Sequence, residues 1–246
     1  MPGIKIVTHC YAVNKGQYAI MLRAQISSVI VNSASPAATI VVYHTAADRD
    51  VRAVLDDFDG HPAVQSVNME KERLWRRSIG RDWATQNDVD SDLFWFADCD
   101  YLFGPETLNH TYVSWKALGR PEFLWPKSYL ACADKAVCDD FLKRSVGVRG
   151  LLYPIQVLEQ CQERACPRAI GGVQIVDGEY ARRAGYLRHV KKWQTPAVSP
   201  FPDFRDDVQF RRQVEADGKS VALAMPNLYR IRHTEVGYGK QSKSPV

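Results

Sequence analysis

Short β-branched runs alternate with helical stripes along the first hundred residues. Ile4 to His9 reads as a strand, and Gln17 to Val31 as a helix with Ile20, Ala24, Ser27 and Val31 on one stripe. Ser33-Ala34-Ser35-Pro36 ends that helix, and Thr39 to Tyr43 is a second strand. Asp48 or Asp50 caps a helix carrying Val51, Val54, Leu55 and Phe58, which Gly60-His61-Pro62 closes. Val64 to Val67 is the third strand. A longer helix is expected from Glu72 to Gln86, with Trp75, Ile79 and Trp83 at i, i+4 and i+8 toward the core and Arg73, Arg77 and Arg81 on a second face. The fourth strand is Leu93-Phe94-Trp95-Phe96-Ala97. Five consecutive apolar residues after the polar stretch from Asn87 to Asp92 mark a strand buried on both faces, as in a parallel sheet. Four strand–helix alternations predict an α/β fold, a doubly wound, mostly parallel sheet with helices on both faces.

The second half is less regular. Pro105-Glu106 begins a helix, Phe123-Leu124-Trp125 reads as a strand, and Tyr129 to Val146 reads as an amphipathic helix. The pattern loosens from Gly147 to Arg168. Ala169 to Val176 is a strand entered through Gly171-Gly172, and Gly178 to Tyr186 is a short helix. The prolines between Thr195 and Pro202 make a loop, after which Asp206 or Asp207 starts a helix ending near Gly218. Ser220 to Ala224 and Leu228 to His233 are the last strands, and the tail from Gly237 to Val246 is expected to be mobile.

Composition narrows the class. The chain has 246 residues, 46% of them hydrophobic and 24% charged, which is ordinary for a soluble globular domain. A net charge of +4 suits a phosphate-bearing substrate or a polyanion without requiring either. The six cysteines form no C-x-x-C pair and no zinc spacing with histidine, so reduced thiols in a cytoplasmic protein are expected. Met1 to Val7 enters directly into a strand without a signal-peptide core, and no apolar run reaches the length of a membrane span.

The fourth strand delivers two carboxylates, Asp98 and Asp100, to the sheet edge where ligands bind in open α/β folds. Two carboxylates so close resist ionising together unless a cation compensates them, and hard ions such as Mg²⁺ or Mn²⁺ prefer oxygen donors. A solvated acidic turn after a strand has the same pattern.

Asp98-Cys99-Asp100 resembles the D-x-D motif of GT-A-fold glycosyltransferases, enzymes that move a sugar from a nucleotide-sugar donor. Further segments resemble the inverting family-two enzymes in the same order: Arg77-Ser78-Ile79-Gly80 their R-N-x-G helix segment, Gly171-Gly172 the pair opening the acceptor-side strand, Asp206-Asp207-Val208-Gln209-Phe210 the E-D-x-D-F motif, and Tyr229 to His233 the closing strand. Asp206 stands where Glu is usual and Ser78 where Asn is usual.

The resemblance implies a GT-A-like fold whose residues 1–103 bind the nucleotide sugar, with 104–236 as the acceptor-side half and 237–246 as a basic tail. It implies Asp98, Asp100 and His233 as ligands of Mn²⁺ or Mg²⁺, with Asp98 also near the donor ribose. It implies Asp207 as the general base, with Asp206 as the fallback, and Gly171 and Gly172 beside the donor. Arg77 and Arg81 are expected to steady the diphosphate through charge-assisted hydrogen bonds. Thr8 to Tyr11 is where the nucleoside is expected, with Tyr11 stacked on the base, and a UDP-sugar is the expected donor. Each residue has a plainer alternative: an N-cap pair for Asp206 and Asp207, a solvated basic face for the arginines, an edge-strand residue for His233 and a surface residue for Tyr11.

The acceptor stays open between a saccharide or lipid-linked glycan and a hydroxymethylated base in DNA. Arg188, His189, Lys191, Lys192 and Trp193 interleave basic and aromatic groups, and Lys240 and Lys243 add charge, which suits phosphates and a stacked base. Two rival classes share features. A haloacid-dehalogenase-like phosphatase also carries D-x-D after a buried strand, but normally the first strand and with Thr or Val where Leu102 stands. A non-catalytic protein of transferase fold is the other. A sugar nucleotidylyltransferase needs a Gly/Arg-rich loop that Cys10 to Gly16 lacks.

Overall fold

Buried β-branched and aromatic runs zip into a sheet, and amphipathic helices close over both of its faces. The computed structural model describes residues 3–11, 16–32, 37–199 and 205–231. Its elements in chain order are β1 (Ile4–His9), α1 (Gln17–Asn32), β2 (Ala38–His44), α2 (Arg49–Asp56), β3 (Val64–Asn68), α3 (Lys71–Trp75), α4 (Arg77–Asn87), β4 (Leu93–Ala97), β5 (Tyr101–Phe103), α5 (Thr107–Ala117), β6 (Phe123–Pro126), β7 (Ser128–Cys132), α6 (Lys135–Arg144), α7 (Ile155–Leu158), β8 (Cys161–Ala165), β9 (Val173–Asp177), α8 (Gly178–Ala184), α9 (Lys191–Gln194), α10 (Asp206–Asp217), β10 (Ser220–Leu223) and β11 (Leu228–Arg230).

Seven strands form the main sheet in the order β10-β6-β9-β4-β1-β2-β3. All neighbours run parallel except β9, which lies antiparallel between β4 and β6. The expected doubly wound, mostly parallel sheet is therefore observed. Leu93, Trp95 and Ala97 of β4 point into the core under α1, α2 and α5, while Phe94 and Phe96 point into the core under α4, α8 and α10. Burying each large side chain of this strand stabilises the fold by roughly 1.5–3 kcal/mol.

A second sheet, β5-β11-β7-β8, stands beside the first. The Asp98-Cys99-Asp100 turn connects β4 of one sheet to β5 of the other. The antiparallel run of β9 pairs Val173 with Ala97, so the glycines that precede β9 lie next to Asp98.

Several expectations change. The helix expected from Glu72 to Gln86 is broken at Arg76, whose φ of −95° and ψ of 82° are not helical. The break re-aims the second segment: Trp83, expected in the core, is 40% exposed, while Ser78, Gly80 and Arg81 are buried. Val31, expected on the buried stripe of α1, is 54% exposed. Tyr129 to Val146 is not one helix but strand β7 followed by α6, capped by the Asp134 side chain. Strand β8 lies in the stretch without pattern, because its side chains are mostly exposed and its backbone pairing with β7 defines it. Glu106 takes a left-handed φ of 66°, so α5 starts one residue later, at Thr107. All six cysteines are free thiols. Among the described residues, no helix is long and apolar enough to cross a membrane. His233, the end of its strand, Lys240, Lys243 and the tail lie outside the described residues.

Candidate active site

The acidic turn is held by backbone bonds before any side chain acts. The Asp98 N–H donates to Gly172 O at 3.0 Å, and the Tyr101 N–H donates to Asp98 O at 3.2 Å. From α1, buried Gln25 donates through Nε2 to both Asp98 O (2.9 Å) and Tyr101 O (3.0 Å). The Ile231 N–H donates to Asp100 O at 2.8 Å, which fixes the end of β11 against the same turn.

Both carboxylates of the turn face guanidinium groups. Asp98 Oδ1 accepts from Arg77 Nη1 at 2.7 Å and lies 3.6 Å from Arg81 Nη2. Asp100 Oδ2 accepts from Arg230 Nε at 2.8 Å, and Arg230 lies over the Tyr101 ring. Burial pushes the Asp98 carboxyl up, but Arg77, Arg81 and Arg230 more than offset it and hold it below the ordinary carboxylate range. The Asp98 side chain remains 36% exposed. Of the arginine stripe expected on one helix, Arg73 is solvated, Arg77 is partly buried and reaches the site, and Arg81 is 1% exposed.

Arg81 departs from its expected contact with a diphosphate. Its Nη1 donates to Tyr186 Oη at 2.6 Å and its Nη2 to Gly171 O at 3.2 Å. Its guanidinium carbon sits 5.6 Å from the Phe96 ring centroid and 5.2 Å from that of Tyr186. It is a buried cation behind Asp98, held by ring faces and hydrogen bonds, and it does not present a face to solvent.

Asp206 and Asp207 open α10, as their position at a helix start requires. They are not the N-cap pair of the plainer alternative, since Arg205 holds the N-cap position without a side-chain cap, and the two acids have different surroundings. Asp206 is buried and lies 3.5 Å from Arg77 Nη2, so one guanidinium joins the helix start to Asp98. The Asp207 Oδ1 atom is buried without a hydrogen-bond partner among the described residues. Burial, and then the charge of Asp206, raise the Asp207 pKa above the ordinary carboxylate value, while Arg77 and Arg81 partly counter them. The Val208 backbone N–H also lowers it, yet the net shift is upward, and a carboxylate of raised basicity with one oxygen left without a partner is what a general base needs.

The two glycines make this arrangement sterically possible. A Cβ on Gly171 would collide with the Asp207 carboxylate, and a Cβ on Gly172 would press on Tyr101 and approach Asp98 Oδ2 to 3.0 Å. Asp207 and Asp98 thus lean on adjacent residues of one strand entry. Gly80 does the same for His9, whose Nε2 occupies the space a Cβ would need. The His9 ring stacks on Tyr43 with centroids 4.9 Å apart, and burial with Arg81 and Arg77 nearby keeps it neutral. Thr8 is fully buried at the end of β1, its Oγ1 without a hydrogen-bond partner among the described residues. Tyr11 is half-buried against the Val7, Tyr43 and Phe96 side of the core.

Two groups expected on a nucleic-acid surface are engaged elsewhere. Arg188 Nε donates to Asp82 Oδ1 at 3.1 Å, and Trp193 is buried beneath Arg76 and Lys192. Trp193 has no free face on which a base could stack. Asp98 follows β4 and not the first strand, after which a phosphatase of that class normally carries its D-x-D.

The acidic turn suits a divalent cation in chemistry: Asp98 and Asp100 supply hard oxygen donors, and Asp98 is accessible. The charge balance suits one too. Three guanidinium groups, from Arg77, Arg81 and Arg230, meet four carboxylates, so an incoming diphosphate finds no surplus positive charge in these side chains. A cation would compete with Arg77 and Arg230 for carboxylate oxygens. Among the described residues, no group of three or more His, Cys, Asp or Glu side chains forms a ready metal site.

Residues that the sequence pattern did not single out complete the site. Arg230 was visible only as part of a strand, and Gln25 only as a polar residue in an apolar helix. Gln174 and Tyr186 carried no signal at all.

No protein-family model matches the sequence, and no curated protein matches it significantly. Solved structures do match the fold. S. aureus TarS 1-349 in complex with UDP superposes with a TM-score of 0.59 at 12% identity over 93% of this chain and 60% of that one. The longer S. aureus TarS gives 0.59 at 12% identity over 94% of this chain and 37% of that one. The mannosyltransferase PcManGT from Pyrobaculum calidifontis, in complex with GDP-Man and Mn²⁺, gives 0.55 at 16% identity over 96% of this chain and 59% of that one. The chain spans about 60% of the length of TarS 1-349 and of PcManGT. With the mostly parallel sheet and the acidic turn at its edge, these matches establish that the chain has the GT-A-like fold of nucleotide-sugar glycosyltransferases.

Proposed function

We propose that the protein transfers a sugar from a nucleoside-diphosphate sugar to an acceptor hydroxyl with inversion at the anomeric carbon. The observation that carries this reading is the pair of adjacent glycines: Gly172 admits the acidic turn and Gly171 admits Asp207, which brings a phosphate-side cluster and a candidate base to one strand entry.

Charge builds on the diphosphate as the glycosidic bond breaks. Arg77 and Arg230, both partly exposed, are positioned to donate charge-assisted hydrogen bonds to it. A divalent ion held by Asp98 and Asp100, with His233 as a further candidate ligand, would act as Lewis acid toward the same oxygens. Asp207 takes the proton of the attacking hydroxyl, and its raised pKa favours that transfer. With one base and no enzyme nucleophile, a single displacement inverts the centre.

A UDP-sugar is the proposed donor, supported by the UDP complex of TarS 1-349. A saccharide or lipid-linked glycan is the proposed acceptor, because Trp193 is buried and leaves a nucleic-acid surface without its stacking ring. The test is a thermal-shift panel of nucleoside diphosphates with and without Mn²⁺. One nucleotide should raise the melting temperature, and Mn²⁺ should enlarge the rise. No rise with any nucleotide would refute the reading.

A further inference from the structure

A single directed chain of hydrogen bonds crosses the interior between the two ends of the site. Arg81 Nη1 donates to Tyr186 Oη at 2.6 Å. Tyr186 Oη donates to Gln174 Oε1 at 3.1 Å, and Gln174 Nε2 donates to the backbone carbonyl of Asp207 at 2.9 Å. Every donor and acceptor points the same way, and all three side chains are buried. The chain starts at the cation that backs Asp98 and ends on the residue carrying the candidate base.

The elements explain why the chain is rigid. Gln174 belongs to β9, where it pairs in register with Phe96 of β4. Tyr186 stacks on Phe210 of α10 with ring centroids 4.0 Å apart and meets Phe96 edge-on at 5.0 Å. The ring therefore holds α10 sideways, while its hydroxyl, through Gln174, holds the first turn of α10 along its axis. Burial raises the Tyr186 pKa, so the hydroxyl keeps its proton and remains a donor.

We propose that Tyr186 and Gln174 are positioning residues that set where Asp207 stands relative to Asp98, so that base and leaving-group clusters keep their spacing during transfer. This rests on the transferase reading above, and neither residue touches donor or acceptor. A core that merely packed well would need the Tyr186 ring but not its hydroxyl, nor an amide at position 174.

The experiment compares wild type with Tyr186→Phe, which keeps both ring contacts, and with Gln174→Met, which keeps length without hydrogen bonds. Melting temperature and nucleoside-diphosphate affinity are measured first, to establish that each variant is folded and binds. Misplacing a reacting group by about 1 Å costs up to about 100-fold in rate, so kcat should fall roughly 10-fold in each variant while the donor KM stays within roughly twofold. A ¹³C-carboxyl NMR titration of Asp207 reads the same displacement without turnover. As Asp207 leaves its buried place beside Asp206, Arg77 and Arg81, its pKa should drop toward the ordinary carboxylate value. If kcat and the Asp207 titration both match wild type in folded variants, the positioning role is refuted. If wild type binds no nucleoside diphosphate, the transferase reading fails. The titration then still decides whether Tyr186 and Gln174 place Asp207.

Discussion

The two sides of the Gly171-Gly172 step are built differently. On the Gly172 side, Asp98 and Asp100 each accept from an arginine, and the turn is tied down by the Gly172 carbonyl and by Gln25. Its carboxyl pKa at Asp98 is pulled below the ordinary range. On the Gly171 side, Asp207 keeps a buried oxygen without a partner and is pushed above that range. Two carboxylates a residue apart in contact thus receive opposite environments, one kept ionised to meet cations and one kept basic to accept a proton. In the proposed transfer, that separation lets a single site support charge stabilisation and base catalysis together.

The largest expected effect breaks the Gly171 side alone. Asp207→Asn should lower transfer about 1,000-fold, within the range for removing a general base, while nucleotide affinity is unchanged. Calorimetry with the nucleotide identified by thermal shift, beside a turnover assay, checks both halves. Next come the glycines, which should part company. Gly171→Ala displaces Asp207 and should reduce kcat by about 100-fold with donor KM nearly constant. Gly172→Ala displaces Asp98 and Tyr101 and should chiefly raise the donor KM. Steady-state kinetics showing the same kcat and KM change in both would erase the distinction between the two sides.

Much of this was legible in the sequence, and the reasons it was not elsewhere are physical. Strands β1, β2 and β4 of the main sheet are buried along most of their length, so hydrophobic runs reveal them, while the edge strand β3 gives a weaker signal. The second sheet is defined by backbone pairing of short strands such as β8, whose side chains are solvated and carry no periodicity. Trp83 followed the core stripe only while the helix was taken as continuous; the non-helical backbone at Arg76 rotates it outward, and no residue type there announces a break. In the site, the acids and glycines stand where their motifs placed them along the chain, but their partners did not appear. Arg230 meets Asp100 across a sequence separation that no local pattern spans, and Gln174 and Tyr186 look like ordinary interior positions until the sheet brings them beside Arg81.

A smaller effect sharpens the comparison from the phosphate side. Arg230→Gln removes one guanidinium from Asp100 and should weaken nucleoside-diphosphate affinity by about 10-fold, the scale of one charge-assisted hydrogen bond, without changing the pH profile. The smallest expected effect lies in pH. The raised Asp207 pKa means that its protonated, inactive form persists above the ordinary carboxylate range. The acid limb of kcat/KM should therefore fall off at a higher pH than an unperturbed aspartate would give. Asp206→Asn removes the charge that helps to raise that pKa, so the limb should move to lower pH. A shift to higher pH, read from a pH–rate profile, would contradict the proposed environment.

The central claim is that Asp207 activates the attacking oxygen from the side opposite the leaving diphosphate. Donor hydrolysis, with water in place of the acceptor, tests it without knowledge of the natural acceptor. Proton NMR of an α-linked UDP-sugar incubated with the protein should show the β-anomer of the free sugar forming first, and Asp207→Asn should abolish its formation. First appearance of the α-anomer, or hydrolysis that survives Asp207→Asn at the wild-type rate, would contradict the account.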